Sequence, residues 1–196
     1  MTITTATAPQ DTNDIASRGF GALRRAQGLA PADTEAGGGT AATLHKPLAV
    51  YYLGADTLAS DASTTQARQV GWRYLVRQAD SVGSVEVLGN QVSSVTQGEV
   101  PAHLAQALVV AEGAVEKSRR YEARVLLFGR AGDTLLWLHA RRGRDRFFSL
   151  GAEPKEVEEQ VVMKSAATKA QLRQRLSELR SKARAPIAAE QDESGG

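Results

Sequence analysis

With 196 residues the chain is long enough to close one hydrophobic core and rarely two, and having no cysteine it can form neither a disulfide nor a thiolate metal site. Its 24 basic and 22 acidic residues leave a net charge of only +2, so overall charge alone makes no case for nucleic acid. No basic segment followed by an apolar run opens the chain and no apolar run is long enough to span a bilayer, so a soluble, cytoplasmic protein with no membrane partner is expected.

Residues 1–45 are rich in Thr, Ala, Gly, Asp and Pro and contain the run Gly37-Gly38-Gly39. So few large apolar groups do not offset the entropy of ordering, and a disordered N-terminal tail is predicted. Within it, a short helix from Asp14 to Gln27 could form on the apolar stripe Ile15, Phe20 and Leu23, weakened by Gly19 and Gly21. Arg18-Gly19-Phe20-Gly21 matches the first half of an RNA-recognition signature. Ala22 stands where the next aromatic belongs and no strand pattern surrounds it, so no family follows.

The core domain is expected over 46–152. Leu48–Leu53, an apolar β-favouring run between Pro47 and Gly54, predicts a buried strand. Residues 63–79 read two ways. Trp72, Leu75, Val76 and Ala79 follow helical spacing, whereas Val70, Trp72, Tyr74 and Val76 alternate as in a strand. Ser84–Leu88 predicts a strand stopped by Gly89-Asn90. Pro101 suits the first turn of a helix whose stripe is Leu104, Ala107, Leu108, Ala111 and Val115.

Ala123–Phe128, Leu135–Ala140 and Arg146–Leu150, joined by short turns, predict a three-stranded antiparallel meander. From Glu153 to Arg184 an acidic start and a basic end predict a long helix, closed by Pro186. The domain reading is therefore a C-terminal amphipathic helix over 153–185 and a disordered tail over 186–196. The fold expected is α+β: a small, largely antiparallel sheet including the C-terminal meander, packed by two or three helices, with a long C-terminal helix.

For chemistry the sequence offers little. The three histidines His45, His103 and His139 have no second histidine or carboxylate at metal-ligand spacing, no phosphate loop or Gly-x-Ser-x-Gly elbow occurs, and no cofactor or catalytic residue is predicted. His139 could be a partly buried base near Asp133 or Asp145, but no nucleophile completes a set. The adjacent pair Glu158-Glu159 reads as a solvated helix start.

The polar asymmetry lies between Lys117 and Arg146. There Lys117, Arg119, Arg120, Arg124, Arg130, Arg141, Arg142, Arg144 and Arg146 face only Glu122, Asp133 and Asp145. Arg141, Arg142, Arg144 and Arg146 crowd one hairpin tip beside Trp137, Phe147 and Phe148. Arginine with exposed rings is what single-stranded DNA or RNA needs, so Arg141, Arg142, Arg144, Arg146, Trp137 and Phe147 are the nucleic-acid candidates. Alternation along the strands would instead bury Trp137 and one of Phe147 or Phe148 in the core and leave a charged turn that keeps the hairpin soluble. Leu172, Leu176, Leu179 and Ala183, at heptad-like spacing, could seat a protein partner or a second copy. A non-enzymatic binding or assembly protein acting through protein–protein contacts is the leading expectation, and a nucleic-acid module using the arginine hairpin the alternative.

Overall fold

The computed structural model describes residues 2–26, 43–44, 47–54, 67–78, 81–128 and 134–163. Among the described residues ten strands and two helices precede a last helical turn: β1 Ile3–Thr5, α1 Gln10–Ala26, β2 Thr43–Leu44, β3 Leu48–Leu53, β4 Arg68–Gln78, β5 Ser81–Leu88, β6 Gln91–Gln97, α2 Glu99–Ala114, β7 Tyr121–Phe128, β8 Thr134–Ala140, β9 Arg146–Ser149 and β10 Glu156–Val157. All the strands join one mixed sheet in the order β10-β9-β8-β7-β3-β4-β5-β6, with β1 beside β7 and β2 beside β4.

The small, largely antiparallel sheet expected from the sequence is thus overturned by a large mixed one. Its parallel contacts are central: β3 runs alongside β7 from Ala49↔Arg124 to Leu53↔Phe128, and β1 pairs with the start of β7 from Ile3↔Tyr121 to Thr5↔Ala123. Pattern alone could not find this, because β3 and β7 are far apart in the chain and are brought together across three strands and α2.

Of the segment 63–79, legible as either helix or strand, Arg68–Gln78 is the strand β4, and residues 63–66 and 79 lie outside the described residues. Tyr74 and Val76 sit on the α1 side of the sheet with Trp72 packed beside them, whereas Leu75 belongs to the opposite cluster. A register shift in the β3–β4 pairing leaves Val70 unmatched between Gln69 and Gly71, which is why Val70 leaves the alternation and joins the other face.

The sheet runs across the boundaries expected at 45/46 and 152/153, since β1 and β10 both pair into it. Within the segment expected to be a disordered tail, α1 starts at Gln10, four residues before the predicted Asp14. It is held by its buried stripe of Thr12, Ala16 and Phe20 against Tyr74, Val76, Val85 and Val87. Gly19 is the point of closest approach, where a Cβ would lie 2.5 Å from Val92 Cγ2. The glycine that weakens the isolated helix is the one that lets it rest on β6. Tyr74 completes the seat, its hydroxyl donating to Asn13 Oδ1 at 2.8 Å. Burial, and secondarily the Asp11 carboxylate, pushes that phenol up to about 12, so it stays a donor.

On the other face α2 buries Pro101, Leu104, Ala107 and Ala111 against Leu48, Val50, Val125, Leu136, Leu138 and Phe148. Each fully buried leucine or valine there contributes about 1.5–3 kcal/mol of transfer free energy.

The long helix expected from Glu153 does not start there. Residues 151–153 form a bend, Lys155 N–H donates to Ser149 Oγ at 3.0 Å, and β10 then pairs with β9 from Glu156↔Phe148 to Val157↔Phe147. Pairing satisfies the backbone edge that β9 would otherwise leave open. A helical turn begins only at residue 159 and lays Val162 and Met163 on the cluster of Leu53, Leu126, Phe128, Leu135, Trp137 and Phe147. The remainder of the helix expected over 153–185, including Leu172, Leu176, Leu179 and Ala183, and the tail over 186–196 lie outside the described residues. Among the described residues no helix is long and apolar enough to cross a membrane.

Candidate functional site

The β8–β9 turn, residues 141–145, is shaped by one carboxylate and one glycine. Asp145 Oδ1 accepts from Ala140 N–H at 2.8 Å and closes the turn, while Oδ2 accepts from the Trp137 indole Nε1–H at 2.8 Å and lies 3.1 Å from His139 Nδ1. Gly143 takes a φ of 103°, a conformation that a side chain resists, and a Cβ there would sit 3.1 Å from the Arg119 guanidinium. The turn is therefore held from beneath, and Arg141, Arg142 and Arg144 stand exposed on it.

The proximity expected of His139 to Asp145 is present. Both Asp145 oxygens already hold the turn and the indole, and the His139 ring meets Trp137 edge-on at 5.5 Å between centroids. No group of three or more His, Cys, Asp or Glu able to hold a metal occurs among the described residues, and Asp133, the other carboxylate considered, lies outside them.

The rings offered as stacking platforms are shut away: Trp137 is 3% exposed, and Phe147 and Phe148 are each 1% exposed. Both faces of these strands are covered. Trp137 and Phe147 lie cross-strand on one face and stack with centroids 6.1 Å apart, and Phe148 fills the other face beneath α2. Bases cannot stack on them. Arg146 also departs from its expected role. It forms a two-pronged ion pair with Glu156, with Nε to Oε1 at 2.7 Å, and its Nη1 donates to Ala114 O, the last carbonyl of α2, at 2.7 Å. That hydrogen-bonded pairing raises the Arg146 guanidinium further and holds the Glu156 carboxyl below its ordinary range.

What the hairpin loses in rings it gains in charge from a second segment. The β7–β8 register ends at Tyr121↔Ala140, so Arg120 and Arg141 are the next residues out on neighbouring strands. Arg119, which pairs with Glu116 at 3.2 Å, reaches over Gly143. Lys117, Arg119, Arg120, Arg141, Arg142 and Arg144, all exposed, are thus gathered at one end of the sheet. Of these only Arg119 has an ion pair among the described residues. A cleft of about 330 Å³ lined by Arg144, Asp145, Glu156, Val157, Glu158 and Glu159 gives this end an acidic border on the β10 side.

A third arginine environment was hidden in the sequence. Arg124 lies on the face of β7 opposite α2, mostly buried, its guanidinium 4.6 Å from the Tyr51 ring and 4.8 Å from the Trp137 ring, with Nε donating to Glu122 Oε1 at 2.7 Å. Glu122 and Arg124 stand at i and i+2, which puts them on one face of a strand, but nothing local revealed that β3 would bring Tyr51 alongside. Searches of family models, curated proteins and solved structures find no match to this chain.

Proposed function

We propose that this chain is a non-enzymatic binding protein that engages a polyanionic partner through the basic end of its sheet. The observation that carries the reading is the convergence of segments 117–120 and 141–144, which places six exposed cations together in a chain whose net charge is only +2. Like charges on neighbouring strands repel, so the arrangement is a cost to folding that a polyanion would relieve. The engagement of both Asp145 oxygens in holding the turn favours a scaffold role for the His139–Asp145 pair over acid–base work.

Retention on immobilised heparin tests this. Wild type should elute at clearly higher salt than the quadruple variant Arg120→Ser, Arg141→Ser, Arg142→Ser, Arg144→Ser, whose folding should change by no more than about 0.5 kcal/mol because the residues are exposed. Equal elution of the two proteins refutes the reading.

Assembly through protein–protein contacts is the second reading. It is favoured by α2, which carries no charge from Val100 to Ala111 and leaves Val100 and Val109 exposed on its outer side. A helix apolar on both faces usually has something on both. Light scattering on the same samples at high salt would register it as a mass above one chain.

A further inference from the structure

We infer that the polyanion is a nucleic-acid duplex, gripped by its phosphate backbone without reading or stacking the bases. The inference rests on the polyanion-binding reading above and adds the class of partner.

Three features of the basic end select it. The first is the cation type: Arg119, Arg120, Arg141, Arg142 and Arg144 are arginines and only Lys117 is not. A planar guanidinium offers paired N–H donors that match two phosphate oxygens, where an ammonium acts as a point charge. The second is the absence of an apolar anchor. The two segments Glu116–Arg120 and Arg141–Arg144 hold, besides cations, only Glu116, Ser118 and Gly143. An acidic protein partner would normally seat an aromatic or aliphatic hot spot in such a patch, and none is there to receive it. The third is the burial of Trp137, Phe147 and Phe148. Single strands gain much of their affinity from rings under their bases, so with the rings enclosed only charge density counts. A duplex carries about one phosphate per 1.7 Å of axis, twice the density of one strand.

The turn is preorganised for this task. Asp145 closes it through Ala140 N–H and anchors it to the Trp137 indole, and Arg119 reaches across Gly143 from the other segment, so the two groups of cations form one surface. The acidic border formed by Glu156, Glu158 and Glu159 limits the surface on the β10 side and directs a polyanion toward Lys117, Arg120, Arg141 and Arg142.

Fluorescence anisotropy on the full chain tests the inference with three labelled probes: a DNA duplex of about 20 base pairs, one of its strands, and polyglutamate of similar charge. With about five phosphates engaged, the plot of log affinity against log salt should have a slope near −4.5, and raising salt from about 50 to about 200 mM should weaken duplex binding roughly 500-fold. The duplex should bind at least about tenfold more tightly than the single strand or polyglutamate. The quadruple serine variant should flatten the slope to about −1, whereas Arg68→Ser, an exposed arginine at the opposite end of β3–β4, should change nothing. Should the quadruple variant fold poorly, Arg142→Glu alone should still reduce duplex affinity more than Arg68→Ser does.

Polyglutamate binding as tightly as the duplex, or the single strand binding more tightly, overturns the inference. So does duplex binding that Arg142→Glu leaves unchanged. If heparin retention depends on the arginines but no duplex binds, the inference falls and the polyanion reading stands. If heparin retention ignores the arginines, both fall.

Discussion

The β4–β5 half of the sheet and its β8–β9 end hold their charges in opposite ways. Arg73 and Glu86 face each other across β4 and β5 on the side that carries α2, with side chains only 13% and 10% exposed and a hydrogen bond from Arg73 Nε to Glu86 Oε2 at 2.9 Å. At the other end Arg141, Arg142 and Arg144 stand in solvent on a turn whose single carboxylate, Asp145, is directed to the backbone and an indole instead. A charge enclosed by the fold must bring its own counter-charge, because desolvation costs several kcal/mol per ion. A charge left in water need not, and a cluster of one sign left that way is free to meet a partner. The same residue type is therefore structural in one half and available for binding in the other. Arg146, fewer than six residues from Arg141 and tied to Glu156 and Ala114, marks the border between the two uses.

Substituting the partners of these arginines should break that comparison most visibly in the enclosed half. Glu86→Ala leaves the Arg73 guanidinium without its counter-charge in a largely dry site and should lower stability by about 3 kcal/mol in urea denaturation. Replacing both, Arg73→Met with Glu86→Leu, should restore most of that loss, since an apolar pair of similar volume avoids the desolvation cost. A loss below about 1 kcal/mol for Glu86→Ala would mean that the pair behaves like an exposed one.

Asp145→Ala should come next, costing about 2 kcal/mol because the buried Trp137 indole N–H and the Ala140 N–H both lose their acceptor. It sharpens the comparison by adding a second readout. Duplex affinity should fall although no cation has been removed, as the turn loses its brace. Unchanged affinity together with lost stability would show that the arginines do not depend on the preorganised turn.

The smallest effect is expected at the border, in acid. Arg146 holds the Glu156 carboxyl below its ordinary 4.5, so the pair's contribution is fully present above that value and is lost as pH falls through the lower folded value. Glu156 is nearly half exposed, so the contribution should be no more than about 0.5 kcal/mol. Urea midpoints compared above and below this range should show Glu156→Gln losing less stability on acidification than wild type. Identical acid sensitivity would assign the acid limb to other carboxylates.

How legible the molecule was depends on how locally each feature is encoded. The run Leu48–Leu53 reads as a strand and is β3, because six consecutive apolar residues between Pro47 and Gly54 leave few other options. The stripe Leu104, Ala107, Leu108 and Ala111 likewise reads as the core side of α2, with Val115 buried just past its end. β6, Gln91–Gln97, carries mostly Gln, Ser and Thr and gave no signal. It is a strand because β5 offers it an edge from Gly83↔Gln97 to Leu88↔Gln91. β1 is three residues long and exists only through its pairing with β7.

The candidate site divides in the same way. The excess of basic residues from Lys117 to Arg146 is a property of the sequence, and the close spacing of Arg141, Arg142 and Arg144 follows from their being neighbours on one turn. That Arg146 would be drawn into a pair with Glu156 was decided by β10 returning to β9, and that Arg119 and Arg120 would join the hairpin was decided by the β7–β8 register. Burial of Trp137, Phe147 and Phe148 was likewise a tertiary outcome. Alternation makes opposite faces of a strand distinct but does not say which are covered, and only α2 on one side and the turn carrying Val162 on the other enclose both. By itself, then, the sequence determined where charge accumulates and which segments favour extended backbone, since both are sums over neighbours in the chain. Which cations remain exposed and which rings are enclosed was decided by the sheet, because pairing and burial depend on partners that the chain supplies from far away.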